Sequence, residues 1–122
     1  MSRSVRVFVV DGSPLIRKRI VDNLDSLGGF EVVGFADSES AALDTIADAR
    51  PDVVVTDIRL KQGSGLEVVR GLRRAPAAQP KIFVLSNYAS PEHKRECALA
   101  GADGFFDKSS EYDRFLEALQ RV

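Results

Sequence analysis

Asp11, Asp57, Ser86 and Lys108 share one feature: each closes a short apolar run. Asp11 follows FVV, Asp57 follows VVVT, Ser86 follows IFVL and Lys108 follows GFFD. Two carboxylates, a hydroxyl and an ammonium suit a hard divalent cation and a phosphoryl group, because carboxylate oxygens hold Mg²⁺ while hydroxyl and lysine contact phosphate oxygens. Taken singly, an aspartate at such a place also caps a helix, a serine also makes a turn and a lysine is also a solvated charge. The signal lies in the four together.

They meet only if the runs that end on them lie side by side. Five such runs recur, at Val5 to Val10, Glu31 to Ala36, Val53 to Thr56, Lys81 to Leu85 and Asp103 to Phe106. They are rich in Val, Ile and Phe, and most lack period-two alternation, which predicts parallel strands covered on both faces. Between them the spacing turns helical: Ile16, Ile20, Leu24 and Leu27, then Leu43, Ile46 and Ala47, then Leu66, Val69 and Leu72. Tyr112, Phe115, Leu116 and Leu119 close the chain with a further helical stripe. Ser13-Pro14 and Ser90-Pro91 predict helix starts, a hydroxyl cap followed by a proline whose missing N–H is no loss in the first turn. Ser110 with Asp113 predicts a capping-box analogue. The helix from about Pro91 to Ala100 has the least distinct apolar stripe, so the loosest packing is expected there, with Gly101 as its stop. Residues 75 to 80, APAAQP, read as a plain loop.

Strand and helix alternate throughout, which predicts an α/β fold: an open, doubly wound parallel sheet with helices on both faces. In such a sheet every carboxyl end lies on one edge, and ligands bind there where the strand order reverses. Four residues spread along the chain therefore converge.

Composition sets the outer bounds. At 122 residues the chain fits one domain, 1–122, able to bury roughly two thirds of its unfolded surface. With 44% hydrophobic and 29% charged residues and a net charge of -1, the composition is that of a globular protein, not a disordered or fibrous one. A pI near 5.8 argues against a dedicated nucleic-acid surface. MSRSVRV lacks the apolar core of a signal peptide and no long apolar stretch spans a membrane, so a cytoplasmic protein is expected. The single cysteine, Cys97, reads as a small packing residue. His93 reads as an exposed first-turn residue with no partners for a metal, and Arg70, Arg73 and Arg74 read as a solvated face.

VFVVDGSPLIR, PDVVVTDIRLKQGSGLEVV, IFVLS and AGADGFFDKSS together resemble the receiver domain of bacterial response regulators, over essentially the whole chain. The resemblance implies a (βα)₅ flavodoxin-like fold with strand order 2-1-3-4-5. It implies that Asp57 is a phosphoacceptor, served by a sensor histidine kinase or a histidine phosphotransfer protein, and that Lys108 and Ser86 contact the phosphoryl group. Mg²⁺ is implied as cofactor, on Asp11, Asp57 and the backbone carbonyl of Arg59. Ser86 and Phe105 correspond to the pair that moves on phosphorylation and repacks the face of the fourth helix, fifth strand and fifth helix. Arg59 and Tyr88 correspond to positions that tune hydrolysis of the phosphoryl group, and their bulk predicts a long-lived state. A downstream output protein or domain is implied as partner, and a phosphorylation-dependent homodimer is compatible with the family, although no residue here specifies its interface. No catalysis on an external substrate, direct nucleic-acid binding or membrane contact is implied for this domain.

The sequence also departs from that pattern. Gly12 stands where receivers commonly carry a second acid, so weaker Mg²⁺ binding is expected, and glycine's freedom would let the turn approach the site. Lys61 and Ser109 replace prolines, and Asn87 is bulkier than the usual small residue. Gly12 supports a competing reading, a phosphorylation-independent pseudo-receiver acting as a protein-protein interaction domain. Asp57, Ser86 and Lys108 count against it. A flavodoxin-like nucleotide or flavin binder would need a longer, less acidic phosphate loop than DGSP.

Overall fold

The computed structural model describes residues 3–76 and 79–122; Ala77 and Ala78, part of the expected loop, lie outside the described residues. Strands β1 (Val5–Val10), β2 (Phe30–Ala36), β3 (Val53–Thr56), β4 (Lys81–Ser86) and β5 (Gly104–Asp107) alternate with helices α1 (Pro14–Leu27), α2 (Glu39–Ala49), α3 (Gly65–Arg74), α4 (Pro91–Ala100) and α5 (Tyr112–Gln120). The strands form one parallel sheet in the order β2-β1-β3-β4-β5. The fold is therefore the expected flavodoxin-like (βα)₅ arrangement, with the order reversing between β1 and β3.

Side chains alternate across each strand, so the inner strands feed two cores. Phe8, Val10, Val54, Ile82 and Val84 pack on one face against Ala42, Ile46, Val68, Val69, Leu72 and Cys97 of α2, α3 and α4. Val7, Val9, Val53, Val55, Phe83 and Leu85 pack on the other against Ile20, Leu24, Tyr112, Phe115 and Leu119 of α1 and α5. Burial on both faces explains why β1, β3 and β4 read as continuous apolar runs. The edge strands differ: β5 is half-buried throughout, and β2 leaves Phe35 exposed, because each edge strand has only one neighbour.

The helix starts are set by hydroxyl caps. Ser13 Oγ accepts from Ile16 N and Ser90 Oγ from His93 N, as the Ser-Pro pairs predict. Ser64 caps α3 by accepting from Glu67 N, a serine with glutamate three residues on, and this S-x-x-E signal was present in the sequence. Ser110 does not cap α5: Glu111 holds that position with no side-chain bond to the helix. Asp107 has captured the turn instead, its Oδ1 accepting from the N–H groups of Ser109 and Ser110 and from the Ser109 hydroxyl. Two stripe members also fall outside the core. Leu27 is exposed in the last turn of α1, and Ala47 is exposed on α2, where Ala42 takes the buried place. On α4 only Cys97 is buried, which matches the weak stripe.

Candidate functional site

Parallel register builds the site. β1 and β3 run in step from Val7 opposite Val53 to Val10 opposite Thr56, and Asp57 N then donates to Val10 O at 2.9 Å. Asp11 and Asp57 thus leave the sheet side by side at the point of reversal. On the other flank Ser86 lies opposite Asp107, and Lys108 N donates to Ser86 O at 3.1 Å. The four residues expected to converge do so along one edge.

Their side chains are linked. Lys108 Nζ lies 2.8 Å from Asp11 Oδ2 and 2.7 Å from Asp57 Oδ2, and the three side chains are only 8%, 6% and 12% exposed. The outer oxygens are held by the loops that follow: Asp11 Oδ1 accepts from Ser13 N at 2.8 Å and Asp57 Oδ1 from Ile58 N at 2.7 Å. Burial alone would lower the Lys108 pKa, but hydrogen bonds and charge attraction from both aspartates outweigh it, so the ammonium is held above its ordinary value. The cluster of two carboxylates and one ammonium keeps a net negative charge beside the crevice.

Behind Asp57 the backbone is closely packed. A Cβ on Gly65 would overlap the Asp57 carbonyl, and Gly65 N donates to Ile58 O at 2.7 Å, so the first turn of α3 presses on the β3 end. The β3–α3 loop is also stitched to the β2–α2 loop. Lys61 N donates to Asp37 O and Glu39 N to Gln62 O, both at 2.9 Å, while Glu39 Oε1 accepts from Ser64 N at 3.2 Å. Gly63 sits inside that brace at φ 73, where any side chain would strike Glu39. Lys61 Nζ adds a pair to Asp37 at 3.2 Å; both side chains are well exposed, so the pair is worth only ~0–1 kcal/mol.

The opposite wall is less tied. Ser86 is fully buried, and its Oγ accepts from Tyr88 N at 3.1 Å. Asn87 is exposed, so its extra bulk stands in solvent. Phe105 is half-buried against the core that includes α4. Arg59 and Tyr88, far apart in sequence, come together: the guanidinium carbon stands 4.4 Å from the ring centroid. A stacked cation and ring span the gap between the β3–α3 and β4–α4 loops.

Three expectations are corrected. Gly12 does not use its conformational freedom, since it is absent from the positive-φ residues, and a Cβ there would meet only Lys61 Cγ at 3.8 Å. Nothing in the turn demands glycine; what is missing is a carboxylate. Arg73 is not part of a solvated face: its guanidinium binds Gly101 O, Pro80 O and Asp103, tying α3 to the amino ends of β4 and β5. His93 is half-buried, with Nδ1 2.9 Å from Ser90 Oγ. The Arg73 contacts carry no sequence signal, since they depend on how distant loops run in space, whereas the His93 contact is local to the Ser90 cap that the sequence marks. Cys97 is buried as expected, and burial pushes its thiol pKa up.

Among the described residues no group of three or more His, Cys, Asp or Glu is placed to hold a metal. Asp11 and Asp57, joined through Lys108, offer carboxylate oxygens, the donor type that suits a hard cation such as Mg²⁺.

The family model for the response regulator receiver domain matches residues 7–120. The DNA-binding transcriptional activator DevR/DosR of Mycobacterium tuberculosis is 39% identical over 119 residues, covering 97% of this chain and 54% of that protein. The signal receiver domain of the Mycobacterium tuberculosis response regulator NarL is similar in structure, with a TM-score of 0.90, 31% identity and coverage of 98% of this chain and 96% of that one. The chemotaxis response regulator CheY4 of Vibrio cholerae has a TM-score of 0.84 at 32% identity, covering 97% of this chain and 98% of that one. The chain spans about half the length of the curated relatives it matches, 54% to 58%.

Proposed function

This chain belongs to the response regulator receiver family of two-component signalling, and from that premise we propose that Asp57 is its phosphoacceptor. The donor is a phosphohistidine on a sensor histidine kinase or a histidine phosphotransfer protein. One observation carries the assignment: a buried ammonium held between two carboxylates where the strand order reverses. A carboxylate is a weak nucleophile toward an anionic donor unless the growing negative charge is offset. Lys108 can do that: its ammonium, 2.7 Å from Asp57 Oδ2, can pass to the phosphoryl oxygens as the new P–O bond forms. Asp11 keeps Lys108 charged and in position. Asp11, Asp57 and the Arg59 carbonyl would hold Mg²⁺, which when bound supplies further neutralisation of phosphoryl charge; with Gly12 in place of an acid, its affinity is reduced.

Ser86 and Phe105 form the switch. The Ser86 hydroxyl turns from Tyr88 N to the phosphoryl group, and the half-buried Phe105 takes up the space released, repacking α4, β5 and α5. The Arg59–Tyr88 stack shields the acyl phosphate from water, giving a long-lived signal. We assign the domain, 1–122, a cytoplasmic role in which phosphorylation changes its affinity for an output protein or domain, or for a second copy of itself. It catalyses only its own phosphoryl transfer and dephosphorylation, and contacts neither nucleic acid nor membrane directly.

The test is intact mass after incubation with phosphoramidate and graded Mg²⁺, comparing the natural chain with Asp57→Asn. A gain of one phosphoryl group is expected in the former and none in the latter, and Tyr88→Ala should shorten the half-life of the product. A gain that survives Asp57→Asn overturns the assignment. No gain at any Mg²⁺ concentration, from phosphoramidate or from a phosphorylated kinase, would establish the pseudo-receiver instead.

A further inference from the structure

The notch at Gly12 has an occupant. A side chain at position 12 would have one neighbour within van der Waals reach, the aliphatic stem of Lys61. The root of Lys61 is fixed, because its N–H donates to Asp37 O at 2.9 Å. Its head is not. The Lys61 side chain is 67% exposed, and among the described residues its ammonium pairs only with the half-exposed Asp37, at 3.2 Å. A cation with a fixed root and a loosely held tip thus lies over the place where an acid is missing, on the loop that begins at Asp57.

Resting on the phosphoacceptor reading of Asp57, we propose that Lys61 is a second phosphoryl-binding cation, whose ammonium leaves Asp37 and enters the notch above Gly12 when Asp57 carries a phosphoryl group. Asp11, Asp57 and Lys108 together carry a charge of -1 when all are ionised. Attack on phosphoramidate forms a P–O bond to Asp57 as the P–N bond breaks. The nitrogen, already protonated in the zwitterionic donor, leaves as ammonia with the bonding pair, and a dianionic acyl phosphate remains. That dianion replaces a single carboxylate charge, and Lys61 supplies the balancing cation. An acid at position 12 would hold the Lys61 ammonium in a fixed ion pair; glycine leaves it free to reach the phosphoryl oxygens. Gly12 and Lys61 therefore act together, trading affinity for Mg²⁺ against a built-in cation. Two consequences are specific: phosphorylation continues when metal is removed, and Lys61 repels Mg²⁺ from the unphosphorylated site.

The experiment uses Lys61→Met, Lys61→Arg and Gly12→Asp, with two readouts. Phosphoryl incorporation from phosphoramidate in excess chelator is followed by intact mass, and Mg²⁺ affinity of the unphosphorylated protein is measured by calorimetry. Lys61→Met should slow the metal-free reaction by about tenfold, less than the roughly hundredfold or more lost with a preorganised buried donor, because this cation is exposed and loosely held. It should also tighten Mg²⁺ binding about threefold, the scale of one removed exposed charge. Lys61→Arg should keep the metal-free reaction, and Gly12→Asp should make the reaction depend on metal. Unchanged chelator rate and unchanged Mg²⁺ affinity in Lys61→Met overturn the proposal, as does a natural chain that is phosphorylated in Mg²⁺ and wholly inert in chelator. A natural chain inert in both conditions, and inert to a phosphorylated kinase as well, brings down the Asp57 reading itself, an outcome distinct from either.

Discussion

One pair of aspartates from each edge of the sheet shows how differently the same acid is used. At the amino edge Asp52 precedes β3 and Asp103 precedes β5. Each accepts a backbone N–H from a neighbouring strand or its start, Arg6 N at 2.9 Å and Ile82 N at 2.8 Å, so the carboxylates extend the sheet's own hydrogen bonding. Their cations finish the job: Arg3 pairs with Asp52, and Arg73 binds Asp103 together with two carbonyls. At the carboxyl edge Asp11 and Asp57 accept only from the loops they begin, and they share one buried ammonium. The two pairs differ in whether a carboxylate also accepts from a neighbouring strand or only from its own loop and one shared lysine.

Removing the central cation from each edge should break the symmetry most clearly. Lys108→Met leaves two buried carboxylates facing each other and should lower stability by about 3 kcal/mol, the lower range for breaking a buried pair, while abolishing phosphorylation on Asp57. Urea unfolding and intact mass read both effects. Arg73→Ala should lower stability by about 1–2 kcal/mol, because its partners are half-exposed and water replaces part of each bond. Its phosphorylation rate should match that of the natural chain; a slowed rate would mean that the amino edge is coupled to the chemistry.

The smallest expected effect is on pH dependence, and Lys108 and Asp52 have opposite signs. The folded-state pKa of Lys108 lies above its ordinary 10.5, so its contribution is complete below that value and is lost as pH rises through the folded one. The carboxyl of Asp52 is held below its ordinary 3.8, chiefly by the Arg6 N–H with Arg3 adding to it, so its contribution is complete above 3.8 and is lost as pH falls through the folded value. Unfolding midpoints across pH should therefore show an alkaline loss that is reduced in Lys108→Met and an acid loss that is reduced in Asp52→Asn.

The carboxyl edge was legible in the sequence because strand ends are. Buried parallel strands are apolar on both faces, so the first polar residue after VFVV or VVVT marks an edge position with little ambiguity, and β1 and β3 fall where their residues predict. The helix stripes were less sharp. Leu27 and Ala47 share the periodicity of their neighbours, yet one sits in a terminal turn and the other just outside the core face. Ser110 failed as a cap because the local bonds of Asp107 competed for the same turn. The amino-edge role of Arg73, the loop brace around Gly63 and the pairing of Arg59 with Tyr88 left no pattern to find. Each joins residues that are distant in sequence, through loop paths that no local periodicity encodes.

Gly65 has a mechanical consequence. With the first turn of α3 set against the Asp57 carbonyl, the peptide that bears Asp57 stands on a rigid abutment and has no room to recoil. The β2–α2 and β3–α3 loops, laced together, stiffen the same side. Any load applied at the Asp57 side chain is therefore delivered to the compliant wall opposite, at Ser86 and the lightly packed α4 beyond it. On the proposed function, that difference in stiffness would set the direction in which a signal travels from Asp57.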